Sequence, residues 1–518
     1  MGKKTIAVIV GTNEVFFRTH ALDGIVNQAK ALGYNVAVLF AFSMSEDEVK
    51  HQYGEENLYH LVHDNNIVGA IIVEYSFWTA RSKEKVLSYL QSMPELNAVI
   101  LDKSSNAPYP GISPDDRIGF RDAVNHLIKK HGFKKICCLT GYKNVGVAED
   151  RLQGYKDAMA ENGLEVPEEY CIYGDFWLNA AEKLAADIVE GRITRPEAVV
   201  CGNDFSAIAL INKLIKLGVS VPKDIAVIGY DFEQDAMTNI PSVTTYDRSN
   251  RYAGAYSVCY LHKQATGEEV EPVEENIGKL IIGESCGCRR DISSTYIYSE
   301  HDKKYRTGDD NYRLSRILEY FMSADNLDEL FDFIGNRVHM IHELHTYTIC
   351  LNSSWNMFRE DDKEYIRDGY EDEMTATVFY SDGSRKEKMT FMSEDLFPSA
   401  LYEDDKPIFA YFNALHFGDR CFGYEMITFN NTDTLPEMLY HLWTSSVSSS
   451  LEHIRMKQRM EIMYNRVFSS SVRDPMTGLY NRQAMTLYAG NVLETAKTDN
   501  KRLLIIATDL DGLKVIND

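Results

Sequence analysis

Short apolar runs alternate with longer amphipathic segments through residues 1–290 of the chain. The runs at residues 6–10 and 36–40 have the length and β-branched content of buried strands. The segments at residues 21–32 and 204–217 instead carry apolar side chains at helical spacing. Strands that alternate with helices predict parallel sheets covered on both faces. We therefore expect an α/β domain of two lobes, with a ligand cleft at the carboxyl ends of the strands.

The pattern changes after a polar segment at residues 291–311, which we interpret as a linker. Residues 312–434 open with helical spacing and continue with short apolar runs that Phe397-Pro398 and Lys406-Pro407 interrupt. The runs predict an α+β module with antiparallel strands at residues 347–351, 376–380, 408–412 and 423–429. This order of elements is similar to that of a GAF-type sensor module.

Residues 435–472 predict one long helix. Val447, Leu451 and Ile454 follow a 4-3 spacing along it. A second set in a shifted register comprises Met456, Met460, Met463 and Val467. Such stripes are typical of a short parallel coiled coil, which would make the protein a homodimer. A helix that packs on the preceding domain would show much the same stripe, so the sequence leaves both arrangements open.

The last segment, residues 473–518, contains an apolar run at residues 502–508 that predicts a buried strand. The run continues directly into Asp509, Asp511 and Gly512. A carboxylate at the carboxyl end of a buried strand is a common place for a hard cation, and a glycine there lets a phosphate approach the backbone. A strand that ends in a solvated acidic turn would show the same spacing.

Two sequence signatures narrow this choice. Residues 474–482 read DPMTGLYNR and resemble the D-x-L-T-G-L-x-N-R signature that opens GGDEF domains, the diguanylate cyclases. Residues 509–518 read DLDGLKVIND and are similar to the D-x-D-x-F-K-x-x-N-D segment of the same family. The chain departs from these signatures at two places, with Met476 for the usual leucine and Gly512-Leu513 for the more common aromatic pair. The resemblance implies the start of a GGDEF α/β domain.

The same resemblance implies roles for four residues. Asp509 and the carbonyl of Leu510 would bind Mg²⁺, Lys514 would meet the triphosphate of GTP, and Asn517 would bind guanine. The family's GG[DE]EF loop and its second metal carboxylate lie beyond residue 518. Because phosphoryl transfer depends on metal ions and positioned groups, we expect the 518 residues alone not to make cyclic di-GMP.

Residues 3–283 resemble the effector-binding core of lactose-repressor-type regulators, which have the fold of periplasmic sugar-binding proteins. The most specific matches to this family are VCGND at residues 200–204, G-x-x-VP-x-DIAVIGYD at residues 218–231 and PSVTT at residues 241–245. Further matches are Asp150-Arg151-x-x-Gly154-Tyr155, the segment Asp115-Asp116-x-x-Gly119 with His126-Leu127-Ile128, and Glu14-Val15-Phe16-Phe17. The first strand begins at Thr5, which leaves no room for the family's N-terminal DNA-reading domain.

The resemblance places ligand-binding side chains in the cleft. Arg151 would bond ligand oxygens with Asp231 and Asn203 as partners, because planar donors and acceptors suit the hydroxyl edges of a sugar. Phe16, Phe17 and Phe176 would stack on the faces of the ligand. Position alone adds Trp78 and Trp177. The structural alternatives are a helix cap for Asp204, a turn for Asp231 and a place in the lobe core for Phe16.

Composition excludes some classes of function. The chain has 54 Lys and Arg against 77 Asp and Glu, a formal charge of −23, which opposes nucleic-acid binding. Nothing approaches the ~18 consecutive apolar residues of a membrane span. The nine cysteines are an odd number spread over a long chain, so a reducing cytoplasm is favoured over a disulfide framework.

Two clusters of metal-binding residue types stand outside these motifs. Cys286-Gly287-Cys288 is a close cysteine pair that could bind a metal or do redox chemistry, although no second cysteine pair supports it. His339, His342 and His345 recur at intervals of three and could share one helix face. Their spacing with Glu343 is not that of an H-E-x-x-H zinc site, which favours a polar helix end.

The sequence thus predicts a cytoplasmic signalling protein in which a sugar-like effector regulates a diguanylate cyclase in a longer chain. One alternative is a ligand-binding regulator whose GGDEF domain is degenerate and non-catalytic. The other is a repressor-like transcription regulator that acts through a partner, since it lacks a DNA-binding domain of its own. The residues beyond 518 would separate the first two possibilities, and a specific DNA complex would support the third.

Overall fold

A computed structural model of the protein describes residues 4–508 except 12–19, 42–48, 63–66, 78, 290–315, 318, 342, 359–368, 382, 399–405 and 431–437. The chain divides into two compact units, Met1–Leu451 and Glu452–Asp518. None of the described helices is both long enough and apolar enough to cross a lipid bilayer.

The first lobe is a parallel sheet in the order β2-β1-β3-β4-β5. Its strands are β1 Thr5–Val10, β2 Asn35–Phe40, β3 Ile67–Val73, β4 Ala98–Leu101 and β5 Gly111–Ile112. Its helices include α1 Ala21–Leu32, α2 Val49–Glu56 and α3 Ala80–Gln91. Strands β1 to β4 are buried along their whole length, as expected for a sheet covered on both faces.

The second lobe is a smaller parallel sheet in the order β7-β6-β8-β9. Its strands are β6 Ile136–Thr140, β7 Cys171–Tyr173, β8 Ala198–Cys201 and β9 Ala226–Ile228. Its helices are α4 Asp116–His131, α5 Gly146–Glu161, α6 Leu178–Val189, α7 Asp204–Lys216 and α8 Gln234–Thr238. Helix α7 ends before Gly218, whose φ of 83° is left-handed, a conformation that glycine adopts readily at helix ends.

The chain then crosses back to the first lobe. Strand β10 Thr245–Asp247 leads into helix α9 Asn250–Thr266, which packs on α1, and β11 Lys279–Ile281 returns to pair with β10. A Cβ at Gly24 or Gly254 would lie about 2 Å from a backbone oxygen of the facing helix, so the two glycines permit the close α1–α9 contact. The predicted two-lobed α/β domain is confirmed.

The middle module is an antiparallel sheet with a helix, α10 Leu327–Gly335. Its strands are β12 Leu344–Leu351, β13 Glu373–Ser381, β14 Ser384–Arg385, β15 Met389–Met392, β16 Phe409–Phe417 and β17 Arg420–Phe429. The predicted α+β arrangement is present, while the likeness to a GAF module and the domain boundaries stay predictions. The predicted shared helix face of His339 and His345 is wrong, because His339 lies in a short 3-10 turn and His345 lies in β12.

The middle sheet is continuous with the sheet of the first lobe. Strand β16 pairs in parallel with β2, with Phe409 opposite Val36 and Phe412 opposite Leu39. The amide of Ile408 also donates to Asn35 Oδ1 at 2.8 Å. Eleven described strands therefore form one sheet that runs from the first lobe into the middle module. The sequence did not predict this join, because pairing along a strand edge uses backbone groups that leave no side-chain pattern.

Helix α11 Met438–Val472 is the predicted long helix, and the boundary between the two units falls within it. Val447 and Leu451 are buried in the single chain, and the amide of His416 in β16 donates to Ser448 Oγ at 3.3 Å. This part of the helix packs on the preceding module, one of the two arrangements that its stripe allowed. Met460 and Val467 of the second stripe are 61% and 66% exposed.

The second unit contains the end of α11 and helix α12 Arg482–Thr498. The prediction of a buried strand at residues 502–508 is wrong, since these residues are exposed and have no regular secondary structure. An apolar run becomes a strand only when a neighbouring strand pairs with it and a layer covers it. The described part of residues 452–508 offers it no strand partner.

Candidate ligand-binding cleft and C-terminal segment

Five charged side chains meet where elements of both lobes end. Asp102 directly follows β4 of the first lobe, and Asp116 lies in the first turn of α4. Arg151 projects from α5, Asp231 follows β9 by a short loop, and Arg248 follows β10. Carboxyl ends of parallel strands are the usual place for a ligand in α/β folds. The fold thus gathers the five groups at the predicted cleft.

Arg151 is held by two carboxylates. Its Nη2 donates to Asp231 Oδ1 at 3.0 Å and to Asp116 Oδ2 at 3.4 Å, and its Nη1 donates to the carbonyl of Gly202. Burial opposes the charge, but Asp116 and Asp231 outweigh that effect and raise the pKa of Arg151. The guanidinium therefore stays charged. The structure brings together Arg151 and Asp231, the pair that the sequence singled out.

Aromatic rings flank this guanidinium. Its central carbon lies 4.5 Å from the ring centroid of Tyr230 and 5.5 Å from that of Phe176. Such cation–π contacts add to the fixed orientation of the guanidinium. Phe176, predicted to stack on a ligand, therefore lies beside Arg151.

Arg248 is a charged residue of the cleft that sequence reasoning missed. Its two terminal nitrogens donate to both oxygens of Asp102 at 3.0 Å, and it also contacts Asp116 at 2.9 Å. Its side chain is 7% exposed. Asp102 offered a signal, because a carboxylate directly after a buried strand is a common site position. Arg248 offered none, since its partners lie 146 and 132 residues away in the chain.

The backbone is strained at the same place. Asp102, Phe176, Asp231 and Phe232 have φ values of 50°, 58°, 95° and 59°, in the left-handed region that side chains with a Cβ avoid. Such conformations cost on the order of 1–3 kcal/mol each and tend to cluster at functional sites. The four residues lie in loops at the carboxyl edge of the two sheets.

The ring of Phe176 lies over two glycines. A Cβ at Gly141 would lie 1.8 Å from Phe176 Cε2, and one at Gly202 would lie 3.0 Å from Phe176 Cε1. The absence of a side chain at both positions lets the ring settle onto the ends of β6 and β8. Trp177 next to it is 41% exposed and contacts the ring of Phe205 at 5.0 Å between centroids.

Asn203 and Asp204 have mainly structural contacts. Asn203 Oδ1 accepts from the amide of Ser206 at 3.0 Å and caps α7, and its Nδ2 donates to the carbonyl of Phe176 at 2.8 Å. Asp204, the suggested alternative cap, is instead buried and accepts from the amide of Glu233 at 2.7 Å and from Thr245 Oγ1 at 2.9 Å. Burial raises the pKa of Asp204 well above its usual range. A direct contact between Asn203 and a ligand stays a prediction.

The remaining predicted site residues lie outside the described part of the chain. They are Phe16, Phe17, Trp78, Asp509, Leu510, Lys514 and Asn517.

The DPMTGLYNR signature forms a turn and a helix cap. Asp474 Oδ1 accepts from the amides of Met476 and Thr477 at 3.1 and 2.8 Å. Asn481 Oδ1 accepts from the amide of Ala484 at 3.0 Å and caps α12, while its Nδ2 donates to the carbonyl of Ser471 at 2.7 Å. These residues therefore fix how the chain passes from α11 to α12.

Two known protein families match separate parts of the chain. Residues 124–286 match the family described as periplasmic binding protein-like domain, and residues 471–518 match the family described as diguanylate cyclase, GGDEF domain. The HTH-type transcriptional repressor PurR of Vibrio campbellii is 30% identical over 271 residues, which are 52% of this chain and 76% of that protein.

Two further matches are also to transcription regulators. PurR of Photobacterium profundum is 34% identical over 204 residues, which are 39% of this chain and 60% of that protein, less than two thirds of its length. The crystal structure of a transcription regulator from Lactobacillus plantarum covers 55% of this chain and 98% of its own, at 23% identity and a TM-score of 0.42. By its match to PurR of Vibrio campbellii, the chain belongs to the lactose-repressor-type family with a periplasmic-binding-like sensor domain, and it carries a GGDEF segment at residues 471–518.

Proposed function

We propose that the protein is a cytoplasmic sensor in which a neutral, sugar-like metabolite binds between the lobes and regulates a diguanylate cyclase. The observation that carries this proposal is the continuous sheet from β2 to β16, which joins the ligand-binding lobe to the module on which α11 packs. A ligand can regulate the output only if its affinity differs between two states of the protein. The continuous sheet gives a lobe movement a direct path to the helix.

The charges of the cleft favour a neutral ligand. Three carboxyl groups, Asp102, Asp116 and Asp231, face two guanidinium groups, Arg151 and Arg248, so the acidic groups outnumber the basic ones. An anionic ligand would add like charge to this buried cluster. A polyol can instead both donate to the carboxylates and accept from the guanidinium groups, while Phe176 covers an apolar face.

A buried polar cluster connects the middle sheet to α11. Tyr347 of β12 donates to Glu425 Oε2 of β17 at 2.6 Å, and Thr444 of α11 donates to the other oxygen of the same carboxyl group. Trp443 Nε1 of α11 donates to the hydroxyl of Tyr347 at 3.0 Å. Buried hydrogen bonds of this kind fix one register between two elements, because breaking any of them leaves an unpaired polar group. A shift of the sheet would therefore move α11.

The output follows from the GGDEF segment. Asp509 and the Leu510 carbonyl would hold Mg²⁺, which neutralises developing charge on the phosphates, while Lys514 and Asn517 would bind GTP. The reaction joins two GTP molecules held by two subunits, so the proposed protein is a homodimer. The exposed stripe of Met460 and Val467 on α11 offers a surface for a second copy.

The test uses a chain that carries a complete GGDEF domain, incubated with GTP and Mg²⁺ and a panel of neutral sugars and nucleosides. We expect cyclic di-GMP in the chromatogram, a rate that changes with one ligand of the panel, and no product from the Asp509→Ala variant. A folded dimer that binds a panel ligand but forms no product would replace the cyclase with a non-catalytic GGDEF domain that a partner recognises.

A second measurement tests ligand binding separately from cyclase activity. We expect the panel ligand to raise the midpoint of thermal unfolding of the wild-type chain and to have no such effect on Arg151→Ala. The control is Arg117→Ala, which removes an exposed arginine of the same lobe that pairs with Asp157 outside the cleft. Equal stabilisation of the wild type and Arg151→Ala would refute the assigned binding site.

A further inference from the structure

Two histidines and two cysteines from distant parts of the chain converge on one point of the second lobe. His126 and His131 lie in the last turns of α4, and Cys286 and Cys288 lie in the segment that follows β11. One ligand atom from each residue, the Nε2 or Sγ, lies within 4.8 Å of the other three. Sequence analysis singled out only the two cysteines as possible metal ligands, because the histidines lie about 160 positions away in the chain.

Four of the six distances between these ligand atoms match those around a tetrahedral zinc ion. His126 Nε2 and His131 Nε2 are 3.3 Å apart. Cys288 Sγ lies 3.3 Å from His131 Nε2 and 3.6 Å from His126 Nε2, and Cys286 Sγ lies 3.7 Å from His126 Nε2. Zn–N bonds of about 2.0 Å and Zn–S bonds of about 2.3 Å at tetrahedral angles place two nitrogens ~3.3 Å apart and a nitrogen and a sulfur ~3.5 Å apart.

The surroundings also suit a metal centre. Cys286 is 1% exposed, and Thr244 Oγ1 lies 3.0 Å from its sulfur, where the hydroxyl can donate to a thiolate. Hydrogen bonds to the residues that bind a metal orient these ligands and tune their basicity. Gly287 between the two cysteines has a φ of 97°, a left-handed conformation that turns the chain between them.

We propose that His126, His131, Cys286 and Cys288 form a structural Zn²⁺ site. Mixed thiolate and imidazole ligands favour zinc over the oxygen-seeking Mg²⁺ and Ca²⁺. Four protein ligands fill a tetrahedral shell and leave no position for a substrate, so the site is structural rather than catalytic.

The position of the site gives it a role in the architecture. The segment that carries the cysteines is already hydrogen-bonded to β9, since the amide of Val227 donates to the carbonyl of Ser285 at 2.9 Å. A zinc ion would tie this segment to the end of α4 as well. It would thereby fix the point at which the chain leaves the sensor domain toward the middle module.

The test measures metal in the whole chain, purified under reducing conditions without chelators. We expect about one zinc per chain by mass spectrometry of the metal, and tetrahedral thiolate–Co²⁺ absorption bands when Co²⁺ is added to the chelator-treated protein. Removal of the zinc should lower the midpoint of thermal unfolding, and added Zn²⁺ should restore it. A wild-type chain that holds no zinc and competes for none with a chromophoric chelator would overturn the proposal.

Two matched variants locate the site. Cys288→Ser should weaken Zn²⁺ binding by on the order of a hundredfold or more, because a thiolate that binds the zinc ion directly is lost. Cys171→Ser changes another partly buried cysteine of the same lobe, outside the cluster, and should bind Zn²⁺ like the wild type. Equal Zn²⁺ affinity in Cys288→Ser and the wild type would contradict the assignment, and the wild-type titration decides the question if a variant does not fold.

Discussion

Arg248 binds Asp102 through two parallel hydrogen bonds of 3.0 Å, and this bidentate pair joins the two lobes of the sensor domain. Asp102 directly follows β4 of the first lobe, and Arg248 lies between β10 and α9, where the chain returns to the first lobe. The same guanidinium reaches Asp116 on α4 of the second lobe. A lobe movement that separates these elements must therefore break or reorganise the pair.

The pair leads to a prediction about stability. Arg248→Ala leaves Asp102 buried without its cationic partner, and breaking a buried ion pair in this way costs about 3–5 kcal/mol. We expect a clearly lower midpoint of thermal unfolding. The control is Arg251→Ala, three residues further on, where the arginine is 53% exposed and pairs with Asp23. Exposed pairs contribute about 0–1 kcal/mol, so equal destabilisation by the two variants would contradict this account of Arg248.

The glycine beneath Phe176 tests the aromatic wall of the cleft. A Cβ at Gly141 would collide with the Phe176 ring, so Gly141→Ala should displace the ring and weaken binding of the panel ligand roughly fivefold, which corresponds to about 1 kcal/mol of aromatic contact. Gly146→Ala in the same lobe is the control, because a Cβ there meets nothing within 4 Å. Isothermal titration calorimetry of both variants measures the difference. Unchanged affinity in Gly141→Ala would exclude Phe176 from the ligand contacts.

Glu425 predicts a pH dependence of stability. Burial raises its pKa from the ordinary 4.5 to about 7, while the hydrogen bonds from Thr444 and Tyr347 oppose this shift. The folded protein therefore holds the proton more tightly than the unfolded chain. The stabilising effect is fully present below pH about 4.5 and is lost as the pH rises through about 7, a change of roughly 3 kcal/mol.

The matched variants isolate this carboxyl group. Glu425→Gln cannot ionise, so the midpoint of its thermal unfolding should fall less between pH 5 and pH 8 than that of the wild type. Glu387→Gln, which changes an exposed glutamate of the same module, should keep the wild-type pH profile. An identical pH profile for Glu425→Gln and the wild type would show that Glu425 does not titrate in this range.

The exposed stripe of α11 predicts how two chains associate. Met460 is 61% exposed in the single chain, and a second copy would cover it in the proposed dimer. The Met460→Glu substitution would place a charge in that contact. We expect sedimentation to show a weakened dimer. Met476→Glu is the control, because Met476 is 93% exposed and lies beyond the helix. A dimer equally strong in Met460→Glu and the wild type would place the dimer contact elsewhere.

Sequence patterns were accurate for elements and for local motifs. Helix α7 covers nearly all of the predicted segment at residues 204–217, and α11 spans nearly the predicted range. The failures concern context. Residues 502–508 have the composition of a buried strand but no strand partner among the described residues, and His345 continues a helical spacing into what is a strand.

The sequence by itself determined the alternation of strands and helices, the two-lobed sensor domain, and the motifs that carry Arg151, Asp231 and the GGDEF signatures. Tertiary structure decided which elements meet. Three contacts join residues that are more than 140 positions apart in the chain. They are the pairing of β16 with β2, the ion pair between Arg248 and Asp102, and the contact between His126 and Cys286. Periodicity reports that one face of an element is buried, but it carries no information about which distant element covers that face.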